Sequence, residues 1–303
     1  MLRTGQGTPG SNVQYNLAMT CIGILYPGEM GISVAASAQN GGNQVCWASQ
    51  SRSAATRERA TKYGLRDLHT LPALCAESSI LLSVCPPHAA ENVANDVRAC
   101  GFKGLFVDAN AIAPQRVIRI GEAMQRAGVS FVDGGIIGLP AWKPGATRLY
   151  LSGTHAAEIA SCFSVGPLEA RVLGPDIGKA SALKMCYAAY TKGTTALLCA
   201  IVATAERLGV RNDLYEQWAH EDPKFPEQVT KRVRDVTSKA WRWSPEMEEI
   251  SSTFSEAGLP GDFHIAAATI YRRLSEFKDA GTTPSLEDVL EALVQTEKEP
   301  NAG

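Results

Sequence analysis

The feature that most constrains this chain is a change of hydrophobic period near residue 174. Before it, short apolar runs recur at Cys21–Leu25, Gln44–Trp47, Ile80–Val84, Leu105–Asp108, Ser130–Asp133 and Arg148–Ser152. Between them lie stretches with helical spacing, such as Ser53–Tyr63, Ala89–Ala99 and Pro114–Ala127. Continuous rather than alternating apolar runs suit strands buried on both faces, so the first part predicts a parallel sheet covered by helices, joined by right-handed crossovers. After Gly174 no strand signal recurs. Residues 178–209 predict one long helix stopped by Gly209. Further helices are predicted at 211–219, 226–239, 245–257, 262–278 and 285–295, with Ser244-Pro245-Glu246 and Thr283-Pro284-Ser285 supplying helix-start chemistry. The chain therefore divides into a polar extension at 1–18, read as disordered, an α/β domain at 19–176, an all-α domain at 177–296 entered by a long interdomain helix, and a tail at 297–303. A length of 303 residues is enough for two cores.

Composition narrows the function classes. A net charge of -2 gives no electrostatic case for a nucleic-acid partner. No apolar stretch reaches the ~20 residues that span a bilayer. Eight scattered cysteines, none in a C-x-x-C pair, read as free thiols of a reducing, cytoplasmic compartment. Cys85-Pro86-Pro87-His88 has the look of half a metal site without a second half, so no metal is assigned.

The turn after the first strand reads Tyr26-Pro27-Gly28-Glu29-Met30-Gly31 and opens a helix. A dinucleotide-binding turn of the Rossmann type needs glycines for a tight bend, for close backbone approach to pyrophosphate and for close helix–strand packing. Gly28 and Gly31 fit the last two roles, and Tyr26 stands where the first glycine is expected. An ordinary strand–helix turn is the alternative. The second strand ends in Trp47-Ala48-Ser49-Gln50-Ser51-Arg52-Ser53. It lacks the acid that binds the adenosine ribose in NAD enzymes. Ser49 and Arg52 suit an extra phosphate, which favours NADP(H) over NAD(H) as cofactor.

In that order along the chain, ILYPGEMG, LLSVCPPHAA, VDANAIAP, VDGGIIG, TRLYLSG, GKASALKMCYAAYTKG and EMEEISSTFSEAGLPGDFH resemble the β-hydroxyacid dehydrogenase and 6-phosphogluconate dehydrogenase-like superfamily. That superfamily also includes imine reductases, and the closer likeness is to a branch whose C-terminal helical domain has no assigned function. The resemblance covers about residues 20–278. It implies that Pro27, Gly28, Glu29 and Met30 wrap the pyrophosphate, and that Val84, Cys85 and Pro86 run beneath the nicotinamide half. Asn110 falls where relatives carry a Ser or Thr contacting substrate and nicotinamide ribose. Gly135, Ile136, Ile137 and Gly138 match the loop that cradles the substrate's acid group, with two isoleucines where relatives are polar.

Lys184 matches the family's catalytic lysine. Its neighbours Ala180, Ala182, Leu183 and Met185 are small or apolar, and burial there suits a proton donor or acceptor. A lysine snorkelling from a helix interface is the alternative. The family's Asn four residues on is Ala188 here, and the hydroxyls of Tyr187 and Thr191, one and two turns beyond Lys184, are candidates to replace it. The resemblance further implies a homodimer with swapped C-terminal helices, through which Glu248, Phe254 and His264 would reach a partner's pocket. A lone histidine such as His264 is more often structural. The reaction expected is hydride transfer between NADP(H) and a small carbonyl or hydroxy compound, with Lys184 as general acid or base. An imine reductase and a catalytically silent NADP-binding interaction protein are the alternatives.

Overall fold

The structure, a computed structural model, describes residues 21–294. The extension assigned to residues 1–18 and the tail assigned to residues 297–303 lie outside the described residues. The strands are β1 (Cys21–Leu25), β2 (Gln44–Trp47), β3 (Arg66–Asp67), β4 (Ile80–Ser83), β5 (Leu105–Asp108), β6 (Ser130–Gly138), β7 (Thr147–Ser152) and β8 (Leu168–Gly174). They form one sheet in the order β3-β2-β1-β4-β5-β6-β7-β8. Side chains alternate between its faces, as a period of two requires. Ile24, Leu82, Val107 and Val132 join one apolar cluster, and Leu25, Leu81, Phe106 and Phe131 join the other. Helices α1 (Glu29–Asn40), α2 (Ala54–Lys62), α3 (Leu71–Glu77), α4 (Ala90–Ala99), α5 (Pro114–Arg126) and α6 (Ala156–Ser161) cover both faces. Strand order reverses between β1 and β4, which opens a crevice beyond their C-terminal ends.

The sheet departs from the sequence expectation at its edge. β7 runs antiparallel to β6, so the sheet is mixed rather than wholly parallel, and β8 extends it. β8 is half-exposed and carries Glu169 and Arg171. An edge strand buried on one side gives no continuous apolar run, which is why its sequence carried no signal.

The C-terminal helices are α7 (Lys179–Ala188), α8 (Thr194–Arg207), α9 (Arg211–Glu221), α10 (Phe225–Asp235), α11 (Thr237–Glu256), α12 (Asp262–Arg273) and α13 (Leu286–Val294). A π-helical turn, Ala189–Gly193, interrupts the expected long helix between α7 and α8. α11 does not start at Ser244-Pro245-Glu246 but runs through Pro245 from Thr237. Ala240, Met247 and Ile250, on both sides of the proline, are buried in the same core, and this packing outweighs the missing N–H. The two domains are joined by Glu249 of α11, which pairs with Arg116 of α5 and accepts a hydrogen bond from the Ala113 N–H at 2.8 Å. Among the described residues no helix is long and apolar enough to cross a membrane.

Candidate active site

The crevice begins at the turn between β1 and α1. Tyr26 has φ 67°, the left-handed conformation that glycine adopts most easily, so the backbone bends there despite the side chain. Gly31 is required: an added Cβ would collide with the Tyr26 carbonyl oxygen. Gly28 caps α1 and would meet nothing within 4 Å if it carried a Cβ, which leaves its backbone open to a ligand. The first N–H groups of α1 have no partner within a helix, and with the helix dipole they suit a phosphate. Glu29, in the first turn of α1, faces away toward α11, 3.6 Å from Arg242. The Pro27 carbonyl accepts from Arg59 at 3.3 Å.

Beyond β2, the Arg52 guanidinium lies 3.7 Å from the centre of the Tyr26 ring. Its Nε is buried without a hydrogen-bond partner, and such a donor is an open place for an anionic oxygen. Arg57 donates to the Ser49 carbonyl at 3.3 Å. One acid stands close, brought by β3 and not by the segment read from the sequence. Asp67 Oδ1 accepts from the backbone N–H of Ser49 at 3.2 Å and of His69 at 2.8 Å. Burial opposes its ionisation, but the Ser49 and His69 donors outweigh burial and hold the carboxyl below its usual value. That oxygen is therefore spent on shaping the loop.

At the ends of β4 and β5, Asn110 braces the strand ends. Its Oδ1 accepts from the Cys85 N–H at 2.6 Å, and its Nδ2 donates to Ser83 Oγ at 3.2 Å. Both ends of the amide help to hold Ser83 and the following Val84-Cys85-Pro86 in place. Burial pushes the Cys85 thiol up to about 12, so it is no nucleophile at neutral pH. The carboxyl of Asp108 is fully buried and pushed up to about 7 by desolvation.

Gly135, Ile136, Ile137 and Gly138 are not a loop but the end of strand β6, paired with β7. Ile136 is buried in the core. Gly135 serves the approach of α7: a Cβ there would lie 2.6 Å from the Ala180 oxygen and 3.2 Å from Lys184 Cβ. Asp133, also on β6, fixes the start of α7. Its Oδ2 accepts from the N–H groups of Gly178 (2.9 Å), Ala180 (3.0 Å) and Ser181 (3.1 Å) and from Ser152 Oγ (2.9 Å). Its Oδ1 accepts from Ser181 Oγ at 2.6 Å. Lys184 is thus set against the C-terminal end of β6, with its side chain 17% exposed. Its Nζ lies 3.6 Å from Glu246 Oε1, an ion pair too long for a hydrogen bond. The other carboxylate oxygen, Oε2, binds Lys192 Nζ from the π turn. Burial brings the Lys192 ammonium down to about 8. Burial also opposes ionisation of Glu246, but Lys192 and Lys184 outweigh it and hold the carboxyl below its usual value. Two lysines and one glutamate leave this buried cluster with one net positive charge.

Residues 20–162 match the NAD-binding domain of 6-phosphogluconate dehydrogenase, and residues 205–274 match a domain of unknown function, DUF1932. The chain's first domain is therefore a NAD-binding domain of the 6-phosphogluconate dehydrogenase type, a dehydrogenase and reductase module, followed by a DUF1932 domain. An uncharacterized 28.5 kDa protein of Methanothermus fervidus is 31% identical over 166 residues, 54% of this chain and 63% of that protein, so the match spans less than two thirds of the relative. Two solved structures share the fold of this chain. Mycobacterium tuberculosis 3-hydroxyisobutyrate dehydrogenase with L-serine aligns at TM-score 0.66 and 16% identity, covering 92% of this chain and 100% of that one. An Aspergillus terreus reductive aminase in complex with NADPH and ethyl levulinate aligns at TM-score 0.53 and 16% identity, covering 90% and 99%.

The other positions that the resemblance singled out make contacts of their own. Tyr187 is 47% exposed, between Leu183 and Tyr190, which are exposed too. Thr191 Oγ1 turns back to the Tyr187 carbonyl at 3.1 Å. Glu248 is on the surface, paired with Arg272 at 2.9 Å. Phe254 packs edge-on against His264 with ring centres 4.5 Å apart, and His264 is buried beside Gly193. Lys192 and Glu246 are the residues the sequence reading missed. Glu246 falls on the stripe of α11 that buries Met247 and Ile250. A charge on a core stripe was the available signal.

Proposed function

We propose that the chain is an NADP(H)-dependent oxidoreductase that moves hydride between the nicotinamide and a small carbonyl or hydroxy compound, with Lys184 as general acid in reduction and general base in oxidation. The observation that carries this reading is Lys184 on α7, set by Gly135 and Asp133 against the β6 end and facing a buried Glu246. The cofactor would supply or accept the hydride. Gly28 and the first N–H groups of α1 would hold its pyrophosphate, and Arg52, with its unpartnered Nε, would hold the 2′-phosphate. Ser49 and the Val84-Cys85-Pro86 stretch would flank it. The NADPH-bound reductive aminase of the same fold supports the choice of NADP(H).

Lys184 would donate a proton to the substrate oxygen as negative charge develops on it. The net positive charge of the Lys184–Glu246–Lys192 cluster favours an alkoxide and disfavours an iminium cation, which supports carbonyl over imine reduction. A homodimer through the apolar stripe of Leu183, Tyr187, Tyr190 and Leu197, all exposed, belongs to the same reading, as does a reducing, cytoplasmic setting for the eight free thiols. The test is turnover of a panel of small ketones, 3-oxo acids and cyclic imines, followed by NADPH consumption. Lys184→Ala is expected to lower kcat about 10²- to 10⁴-fold with NADPH affinity unchanged. Turnover within about threefold of the parent would remove Lys184 from the chemistry.

A further inference from the structure

Lys184 as the acid–base group leaves two buried charges beside it without a part: Lys192 and Glu246. Their side chains are 13% and 10% exposed. Holding three charges away from water is a poor way to pack α7 against α11, since well-fitted apolar side chains do so at lower cost. Their place is also specific. Lys192 follows Lys184 by eight residues. In an unbroken α-helix eight residues advance about 800°, which turns the second lysine about 80° away from the first. A π turn takes up about one extra residue, so the pair behaves as if about seven apart, within about 20° of the same face. Lys192 stands near the end of the turn Ala189–Gly193, so most of that turn separates it from Lys184, and one carboxylate from α11 meets both ammonium groups.

The π turn is braced from two sides. Arg232 of α10 donates through Nη2 to the Thr191 carbonyl at 2.6 Å and through Nε to Thr195 Oγ1 at 2.6 Å. The Tyr271 hydroxyl of α12 donates to the Lys192 carbonyl at 2.6 Å. Gly193 lies against His264 of α12: a Cβ there would meet His264 Cε1 at 3.4 Å, a close van der Waals contact. The Lys192 ammonium lies 5.1 Å from the Trp243 ring centre.

We infer that Lys192 and Glu246 are positioning residues for Lys184: the π turn brings a second ammonium onto the Lys184 face, where the two compete for one carboxylate. The inference rests on Lys184 being the acid–base group. Lys192 holds Oε2 by hydrogen bond and leaves Lys184 the looser contact at 3.6 Å, so the Lys184 ammonium is oriented yet free to pass its proton to substrate.

The two partners therefore act on Lys184 in opposite senses, which a merely structural role would not produce. Brief labelling of the full chain with acetic anhydride, read by mass spectrometry against the exposed Lys143, measures how readily the Lys184 amine reacts. Glu246→Gln removes the attraction and is expected to raise Lys184 labelling about tenfold. Lys192→Met gives the whole carboxylate to Lys184 and is expected to lower its labelling several-fold. Shifts of both variants in the same direction, or of neither by more than about twofold, would overturn the inference. Should Glu246→Gln fail to fold, Lys192→Met decides alone: a fall supports the inference, and a rise or no change overturns it. Labelling does not depend on turnover, so it can fail while Lys184→Ala still abolishes catalysis, and the reverse.

Discussion

Asp133 joins the sheet to the helix that carries Lys184, and two effects of opposite sign meet in it. Burial pushes its carboxyl above the usual range, the mark of a real desolvation cost, while five donors converge on it. Counting what each replacement leaves behind decides which effect wins. With Asp133→Ala, the Ala180 N–H keeps a second acceptor, Ser152 Oγ at 3.2 Å; the Ser152 and Ser181 hydroxyls lose theirs but can rotate, whereas the fixed Gly178 and Ser181 N–H groups lose their acceptor outright. A buried unpaired donor costs about 1–3 kcal/mol, so two cost about 2–6 kcal/mol, offset in part by no longer burying a carboxylate. A net loss of about 3 kcal/mol follows, or roughly 6–12 °C in Tm for a chain of this size. Asp133→Asn is different. Its carbonyl oxygen can take the place of Oδ2 and keep all three backbone donors, and its NH₂ can donate to Ser181 Oγ. Only the charge at the α7 N-terminus is lost, about 0.5–2 kcal/mol, against the desolvation relieved. Urea and thermal unfolding of both variants should show alanine far below the parent and asparagine within about 1 kcal/mol of it. Equal losses would mean that charge and not donor satisfaction anchors α7, and an alanine variant within about 1 kcal/mol would mean that desolvation cancels the donors.

Two further outcomes follow from the same geometry. Arg52→Ala should weaken NADPH binding about 10- to 100-fold, the loss of one charge-assisted contact of about 1.5–3 kcal/mol, while NADH binding changes by less than about threefold. Fluorescence titration with both nucleotides checks this, and equal losses would remove Arg52 from the 2′-phosphate. Asp108, lifted from 3.8 to about 7 by burial, keeps its proton in the fold at a pH where the unfolded chain has released it. Its contribution to stability is therefore fully present below about pH 4 and is lost as pH rises through about 7, by up to about 4 kcal/mol. Urea midpoints at about pH 5 and about pH 8 should differ less in Asp108→Asn than in the parent, and an unchanged difference would refute the assignment.

The inner strands were legible because burial on both faces forces continuous apolar runs, and Cys21–Leu25, Gln44–Trp47 and Leu105–Asp108 have the bounds read from sequence. The cofactor turn was legible in part. Gly28 and Gly31 showed themselves, whereas Tyr26 hid a glycine-like backbone behind a large side chain. β8 was silent because an edge strand shows polar residues to water, and Asp67 because its closeness to Ser49 comes from pairing of β2 with β3.

The charged cluster around Lys184 was not legible in the sequence. The resemblance set Tyr187 and Thr191 beside Lys184 and sent Glu248 toward a partner's pocket, and none of these pointed to Glu246. Two residues on an α-helix are about 200° apart, so Glu246 faces the Lys184 cluster while Glu248 pairs with Arg272 at the surface. The π turn adds its own displacement: it returns Lys192 to the Lys184 face, where a regular helix would have carried it aside. Neither shift is a matter of residue type, and both follow from helix rotation set by packing. The signal that survives in sequence is charge where the apolar period calls for a core side chain. Glu246 lies one turn from Ile250 on the buried stripe of α11, and Lys192 stands between buried Ala188 and Ala196. A charge in such a place is retained only when another charge answers it, and here two ammonium groups and one carboxylate answer one another across the domain's helices.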